Sequence, residues 1–333
     1  MFNNIIIKGI GIYHPENIVE NEFFVDHFSK IGINIEENLR GMGREKRYLS
    51  NIDGETVITM GKEASLKALK EADVIPEDID MLIFATDSPE YTCPTNALLL
   101  NSELGATNAG LTFDINTNCT GMLYAIDVAC KMMKGSESIK KVLIVGSLLA
   151  SLIACEKDPA IYANFADSAA ALVLESVEEN TERGFIDSAC VTNAFVKDGF
   201  MMPKKGFSQI YNDDIEVHDK KFQLNPFDAS FVPEEWVKLI NKLLENNNYK
   251  ADDIKQFLFS QYAKQMGEGT LDMLGLSTDF LTYVGHIYGY TGVTSPILAY
   301  YHALEENKIK NGDNIIFCSV GAGFNAMANL YKQ

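Results

Sequence analysis

The clearest pattern of apolar and polar positions lies in residues 111–134, LTFDINTNCTGMLYAIDVACKMMK. The apolar run LTFDI indicates a strand, and the polar residues 116–118 after it indicate a tight turn. Beyond Thr120, apolar residues recur at helical spacing, at positions 122, 125, 126, 129, 132 and 133. The stretch therefore predicts a strand, a turn and a helix, with Cys119 where the helix begins.

The same alternation continues along the chain. Short apolar runs predict buried strands at residues 81–86, 141–147, 170–176, 256–261, 314–320 and 325–331. Amphipathic spacing predicts helices at residues 56–73, 96–104, 233–246, 263–274 and 294–306. Residues 187–231 are dense in Gly, Pro, Asn and Asp, which predicts loops and short strands. Two such runs of similar order predict an α/β protein with a duplicated five-layered αβαβα fold, whose halves are residues 1–176 and 177–333.

A thiol at a helix N-terminus can act as a nucleophile. Unpaired backbone N–H groups and the helix dipole favour an anion there, so we expect a lowered pKa for Cys119 and a usable nucleophile. The alternative is an inert buried cysteine, which describes most free cysteines.

The composition excludes several classes of binding partner and site. The net charge is −18 and no basic stripe is present, which argues against nucleic acid. No run of about 18 apolar residues exists, so we expect no membrane span. The six cysteines show no metal-ligand spacing, so we expect no metal centre. Scattered free thiols are typical of a reducing, cytoplasmic setting.

Several segments, in order, resemble one enzyme family. They are GREKRYLS, MLIFATDSPEYTCPTNA, the cysteine stretch, NFADSAAALVL, YGYTGVTSPILAYYHALEENKIKNGDNIIF and SVGAGFNAMANLY. Together they resemble the β-ketoacyl-acyl-carrier-protein synthase III (ketosynthase III) family of thiolase-fold enzymes. The resemblance implies a thiolase-like fold, acyltransferase activity without a cofactor, and a homodimer or a heterodimer with a paralogue. It also implies an acyl-carrier-protein or acyl-CoA thioester as donor and a small-molecule acceptor.

The resemblance also implies roles for single residues. Cys119 would take the acyl group. The backbone N–H groups of Cys119 and Ala322 would form an oxyanion hole. The glycines on either side of Ala322 would let the backbone come close to the substrate. An ordinary glycine turn is the alternative for Ala322. Asp87, Cys93, Gln261 and His286 are assigned to the substrate tunnel, Cys93 reaching it across a dimer.

Two positions depart from the family pattern. Ser260 stands where the family has its catalytic His, and Tyr290 stands where it has its catalytic Asn. A Ser hydroxyl cannot act as a base at neutral pH, although Tyr290 can donate an O–H to an oxyanion. His286, four residues before Tyr290, is a candidate substitute or a structural histidine.

Three functions follow as hypotheses. The first is an acyltransferase of fatty-acid-like or specialised metabolism, which is acylated on Cys119 and passes the acyl group to a carbon, amine or hydroxyl acceptor. The second is the housekeeping synthase that starts fatty-acid chains, which Ser260 and Tyr290 disfavour. The third is a non-catalytic partner of an active paralogue, which the retained Cys119 disfavours.

Overall fold

Two large sheets form the framework of the protein. The computed structural model describes residues 1–333. The strands, in chain order, are β1 (Phe2–Tyr13), β2 (Ile18–Glu20), β3 (Lys46–Tyr48), β4 (Met81–Ala85), β5 (Leu111–Ile115), β6 (Lys141–Leu148), β7 (Ser168–Glu179), β8 (Gly184–Val196), β9 (Phe200–Met201), β10 (Gln223–Leu224), β11 (Ile254–Phe259), β12 (Asn314–Gly321) and β13 (Gly323–Lys332).

Helices cover both faces of these sheets. In chain order they are α1 (Asn21–Ser29), α2 (Glu36–Met42), α3 (Val57–Ala72), α4 (Asn96–Leu104), α5 (Gly121–Gly135), α6 (Ala150–Ile153), α7 (Pro159–Tyr162), α8 (Val232–Asn246), α9 (Lys264–Met273), α10 (Gly285–Tyr288) and α11 (Ser295–Glu305). None of them combines the length and apolar character needed to cross a bilayer.

Each half of the chain supplies one sheet. The first has five strands in the order β1-β7-β6-β4-β5, and the second has four in the order β11-β12-β13-β8. Strands β4, β5 and β6 run parallel, as do β11 and β12, while β1, β7, β8 and β13 pair antiparallel to their neighbours. The carboxyl ends of β4, β5 and β11 lead into the loops that carry the chemistry described below.

The layers alternate as predicted. Helix α3 packs outside the first sheet, α5 and α11 lie between the two sheets, and α8 covers the outside of the second. Three large apolar clusters, one in the central layer and one under each outer helix layer, fill the spaces between them. The duplicated five-layered thiolase-like fold is therefore confirmed. The chain passes from one sheet to the other at residues 180–183, so the predicted boundary after residue 176 falls inside β7.

Local signals explain where the main helices begin. Thr56 caps α3 through a capping box, in which Thr59 N–H donates to Thr56 Oγ1 at 3.2 Å. The first turn of helix α8 contains Pro233, which suits a helix start, and two acidic residues, which suit the helix dipole. The predicted loops and short strands of residues 187–231 begin inside one long strand, β8, whose second half is largely exposed and lacks a regular alternation of apolar and polar residues.

Strand β1 and helix α3 pack backbone to backbone. A Cβ atom on Gly11 would lie 2.1 Å from the carbonyl oxygen of Ala64, and one on Gly9 would lie 2.3 Å from that of Ala68. No side chain fits such a space, since both obstructing atoms belong to a rigid helix. These two glycines therefore allow β1 to approach α3 this closely.

We expect Gly11→Ala to destabilise the protein by about 1–3 kcal/mol, because the added methyl group overpacks this contact. The measurement is the urea midpoint at unchanged m-value. Gly135→Ala is the matched control, since its Cβ would meet no atom within 4 Å. Equal midpoints for the two variants would show that the contact relaxes freely.

Candidate active site

The turn after β5 aims Cys119 into the protein. Asn118 adopts a left-handed backbone conformation with φ of 56°, which asparagine tolerates better than most residues. Its N–H group donates to Asn116 Oδ1 at 3.0 Å, and Thr120 Oγ1 donates to the carbonyl of Thr117 at 2.6 Å. Cys119 lies in the single 3₁₀ turn between this kink and α5. The predicted strand, turn and helix are thus present.

The second half of the chain supports this turn from the opposite side. Ser319 on β12 donates its hydroxyl to the carbonyl of Cys119 at 2.9 Å, and Asn325 on β13 lies 2.5 Å from Thr120 Oγ1. A Cβ on Gly321 would be 2.7 Å from the carbonyl of Thr117, so only glycine fits there. Ala322 follows in the β12–β13 turn and lines the same cavity as Cys119. The oxyanion role assigned to Ala322 stays a prediction.

The thiol itself is not predisposed to ionise. Burial raises the pKa of Cys119 to about 12, and the nearby Asp87 carboxylate adds to the rise. Hydrogen bonds from Tyr290 and from the backbone N–H of Cys119 oppose it and are outweighed. The expected lowering of the Cys119 pKa was therefore wrong. A helix terminus contributes a fraction of a charge, whereas removal from water penalises the whole thiolate.

Ser260 and Tyr290 meet beside the thiol. Their hydroxyl oxygens are 3.0 Å apart, and both side chains are buried. The backbone of Tyr290 is held by Asn164 and Ala166, and its ring packs edge-on against Phe165 and Tyr262. Because Tyr290 donates to the sulfur, Ser260 is left to donate to Tyr290. The pair forms a hydroxyl relay that ends on Cys119.

A buried arginine holds the loops that present this relay. Arg44 Nη2 donates to the carbonyls of Gln261, at 2.9 Å, and Tyr262. Its Nη1 donates to Tyr283 Oη at 2.5 Å and to the carbonyl of Gly285 at 3.3 Å. Burial lowers the pKa of Arg44, and no carboxylate pairs with it within 4.0 Å. Arg44 thus joins the loop after Ser260 to the helix before Tyr290.

The cavity beside the thiol is small and apolar. It holds about 110 Å³, and sixteen of its nineteen lining residues are hydrophobic, among them Phe165, Phe200, Phe222, Phe227, Phe231 and Phe324. A second cavity of about 260 Å³ adjoins it and shares Asp87 and Ala322 with it. Asp87 is the charged residue in both linings. The site therefore places a thiol and a carboxyl group in largely dry, aromatic surroundings.

Two residues assigned to the substrate tunnel lie elsewhere. Gln261 is buried, but its amide bonds to the backbone of Phe259 and Val284 and does not line the cavity. His286 stacks on Tyr283 in a separate surface groove of about 850 Å³. Both assignments are corrected: Gln261 supports the loops, and the turn at Gly289 directs Tyr290, not His286, towards the thiol.

Cys93 is exposed and does not line the cavity of its own chain. Its assigned role across a dimer stays a prediction, because a second chain would have to bring it to the site. Sequence reasoning missed Arg44, Thr120, Ser319 and Asn325. Of these four residues, only Arg44 had a signal in the sequence, since it lies in GREKRYLS, one of the segments that resemble the family.

Comparison with known proteins agrees with this geometry. Residues 113–194 match the model of 3-oxoacyl-[acyl-carrier-protein (ACP)] synthase III, and residues 244–332 match the model of its C-terminal part. The chain is 31% identical to a β-ketoacyl-[acyl-carrier-protein] synthase III of Clostridium perfringens over 332 residues, which is 99% of each protein.

The chain belongs to the ketosynthase III family.

Other similar proteins extend the same result. A β-ketoacyl-[acyl-carrier-protein] synthase III of Clostridium acetobutylicum is 30% identical over 325 residues, 96% of each chain. The crystal structure of 3-oxoacyl-[acyl-carrier-protein] synthase III from Aquifex aeolicus superposes with a TM-score of 0.86 at 23% identity, covering 99% of this chain and 100% of that one. The latter likeness supports the fold.

We expect Cys119 alone, among the six cysteines, to be acylated by a thioester, because only its sulfur faces both a cavity and the Ala322 turn. Intact-mass spectrometry after exposure to acyl-CoA or acyl-carrier donors should show one acyl group on the wild type and none on Cys119→Ala. Cys130→Ala, on helix α5 and buried away from the cavity, is the control and should label normally. Labelling of Cys119→Ala at the wild-type level would contradict the assignment.

Proposed function

We propose that this chain is an acyl-thioester transferase of the ketosynthase III type, acylated on Cys119, that passes the acyl group to a carbon, amine or hydroxyl acceptor without decarboxylating a malonyl thioester. The donor would be an acyl-carrier-protein or acyl-CoA thioester. The observation that carries the proposal is the contrast within one site. The turn that presents Cys119 is supported from both halves of the chain. The family resemblance, in contrast, puts Ser260 and Tyr290 at the positions of the two side chains that serve decarboxylation.

Loss of CO₂ from a malonyl thioester leaves an enolate, which needs hydrogen-bond donors at the thioester oxygen. In this site the Ser260 and Tyr290 hydroxyls, 3.0 Å apart, are engaged with each other and with the sulfur. The cavity lining contains no Lys, Arg or His that could hold the malonyl carboxylate. An acceptor that needs no enolate avoids both difficulties.

The housekeeping synthase remains the second candidate, and the names of the relatives at 30–31% identity favour it. The presence of Ser260 and Tyr290 at the family's His and Asn positions disfavours this candidate. The third candidate, a non-catalytic partner subunit, is disfavoured by the intact turn around Cys119 and by the close fit of Gly321 against it.

A dimer fits the exposed edge of the first sheet. Strand β5 pairs only with β4, and the neighbouring helix α4 leaves Leu98 53% exposed. An unpaired strand edge with apolar neighbours is suited to pair with another chain. We therefore propose a homodimer, or a heterodimer with a paralogue, joined along β5.

We expect the protein to sediment as a dimer at micromolar concentration, because an interface of this kind buries well over about 2,000 Å². Leu98→Asp should shift the equilibrium towards monomer. Met273→Asp, on the outer helix α9 and equally exposed at 53%, should not. A wild-type monomer at that concentration would rule out the proposed assembly.

We expect no detectable malonyl-dependent condensation, although Cys119 still self-acylates, since each missing donor costs roughly 10²–10³ in rate. Ser260→His combined with Tyr290→Asn should raise malonyl-CoA decarboxylation, followed as release of CO₂. The control is Ser260→Ala with Tyr290→Phe, which removes both hydroxyl groups without adding donors and should give no rise in decarboxylation. Robust condensation by the unmodified protein would favour the housekeeping synthase instead.

A further inference from the structure

Asp87 is a carboxyl group that the fold does not use. It follows β4 and lines both the Cys119 cavity and the adjoining one. Its Oδ1 atom is enclosed by protein and has no hydrogen-bond partner. Such an atom is costly to bury, because it has lost its water without gaining a donor.

Structural carboxylates in the same half of the chain are bonded differently. Asp167 accepts bonds from Ser50 N–H at 2.7 Å, from Ser151 N–H at 2.9 Å and from Ser151 Oγ at 2.5 Å. Asp114 accepts bonds from the N–H groups of Asn96 and Ala97 at 2.8 and 2.7 Å. Each fixes a loop or a helix start. The bond that stabilises the Asp87 carboxyl group comes from its own backbone N–H, so, unlike Asp167 and Asp114, it fixes no other segment.

The surroundings of Asp87 contain no positive charge. The other titratable groups lining the two cavities are Cys119, Tyr262 and Tyr290, all neutral at pH 7 since burial raises their pKa values. Burial raises the pKa of Asp87 to about 6, so the carboxylate form predominates at neutral pH. A carboxylate in a dry cavity repels an anionic acceptor and attracts a cationic one.

The whole chain has the same preference. Its net charge of −18 draws cations towards the surface and slows the approach of anions. Among the carbon, amine and hydroxyl acceptors, an amine is the one that arrives with a positive charge at neutral pH.

We propose that Asp87 binds the acceptor as an ammonium group and acts as its base, so that the acyl group on Cys119 is transferred to nitrogen and leaves as an amide. This rests on the acyl transfer proposed above and names its acceptor class. In the first step a proton moves from the ammonium nitrogen to the Asp87 carboxylate, which leaves a neutral amine. The nitrogen lone pair then attacks the thioester carbonyl.

The remaining steps balance without a further reactant. The C–N bond forms, the C–S bond breaks, and the sulfur leaves with its electron pair and receives the second nitrogen proton. Asp87 returns its proton to solvent after the amide departs. Tyr290 donates to the departing sulfur, and the Ala322 N–H group faces the carbonyl oxygen of the intermediate.

The test begins with enzyme loaded on Cys119 from butyryl-CoA and freed of donor. Loaded enzyme is mixed with equal concentrations of n-butylamine, n-butanol or malonyl-CoA, and discharge is followed by intact mass, with the product identified by mass. Butylamine should discharge the enzyme at least 10-fold faster than butanol, and malonyl-CoA should not discharge it. This comparison needs only the wild-type protein. Faster discharge by butanol or malonyl-CoA would overturn the amine acceptor.

Variants test the residue itself. Asp87→Asn should load at least as fast as wild type, because it removes the carboxylate that raises the pKa of Cys119, but should lose about 10²–10⁴-fold in discharge by butylamine, the range for a missing general base. The ratio of wild-type to Asp87→Asn discharge rates should rise with pH through about 6, because the base form of Asp87 appears there. Asp87→Glu should recover part of the rate. Glu90→Gln, three residues along the same loop and outside both cavities, removes an equal charge and should behave as wild type.

Different results would contradict the proposed acyl transfer and the proposed role of Asp87. Failure of Cys119 to load from any donor would overturn the acyl transfer on which this proposal rests. Normal loading together with wild-type discharge by Asp87→Asn, at every pH, would overturn the role of Asp87 alone.

Discussion

The close approach of the β12–β13 turn to the turn that carries Cys119 is the contact on which the site depends. Gly321 leaves no space for a Cβ beside the Thr117 carbonyl, and Ser319 bonds to the Cys119 carbonyl at 2.9 Å. One half of the chain supplies the sulfur and the other supplies Ala322. Neither half contains a site alone, so the chemistry exists only when the two sheets are packed together across α5 and α11.

The features that could be predicted from the sequence are those encoded by short-range patterns of residues. Residues 111–134 carry strand, turn and helix signals within one stretch, and the position of Cys119 followed from them. The pKa of Cys119 could not be read in this way, since it is set by burial among residues distant in sequence. His286 shows the same limit. It is four residues from Tyr290, yet one glycine turn places the two in different cavities.

Removal from water governs the site more than any single bond. Arg44 is buried without a counterion; its two Nη atoms donate to carbonyl oxygens and a phenol, whereas its Nε atom has no acceptor. The Ser260 and Tyr290 hydroxyls satisfy each other. Apart from the Arg44 Nε atom, these polar groups are enclosed and paired, which is the ordinary condition of a protein interior. Several other buried polar atoms lack a partner, but Asp87 is the residue among them that lines the Cys119 cavity.

The protonated state of Cys119 has a consequence for redox chemistry. Peroxides and disulfides react with thiolates, and the oxidation of a cysteine follows its thiolate fraction and its exposure. A thiol with a pKa of about 12 offers very little thiolate at neutral pH. The exposed Cys93 and Cys190 meet an oxidant first. The burial that raises the pKa of Cys119 therefore also lowers its susceptibility to oxidants, and leaves its reactivity dependent on a bound substrate and neighbouring donors.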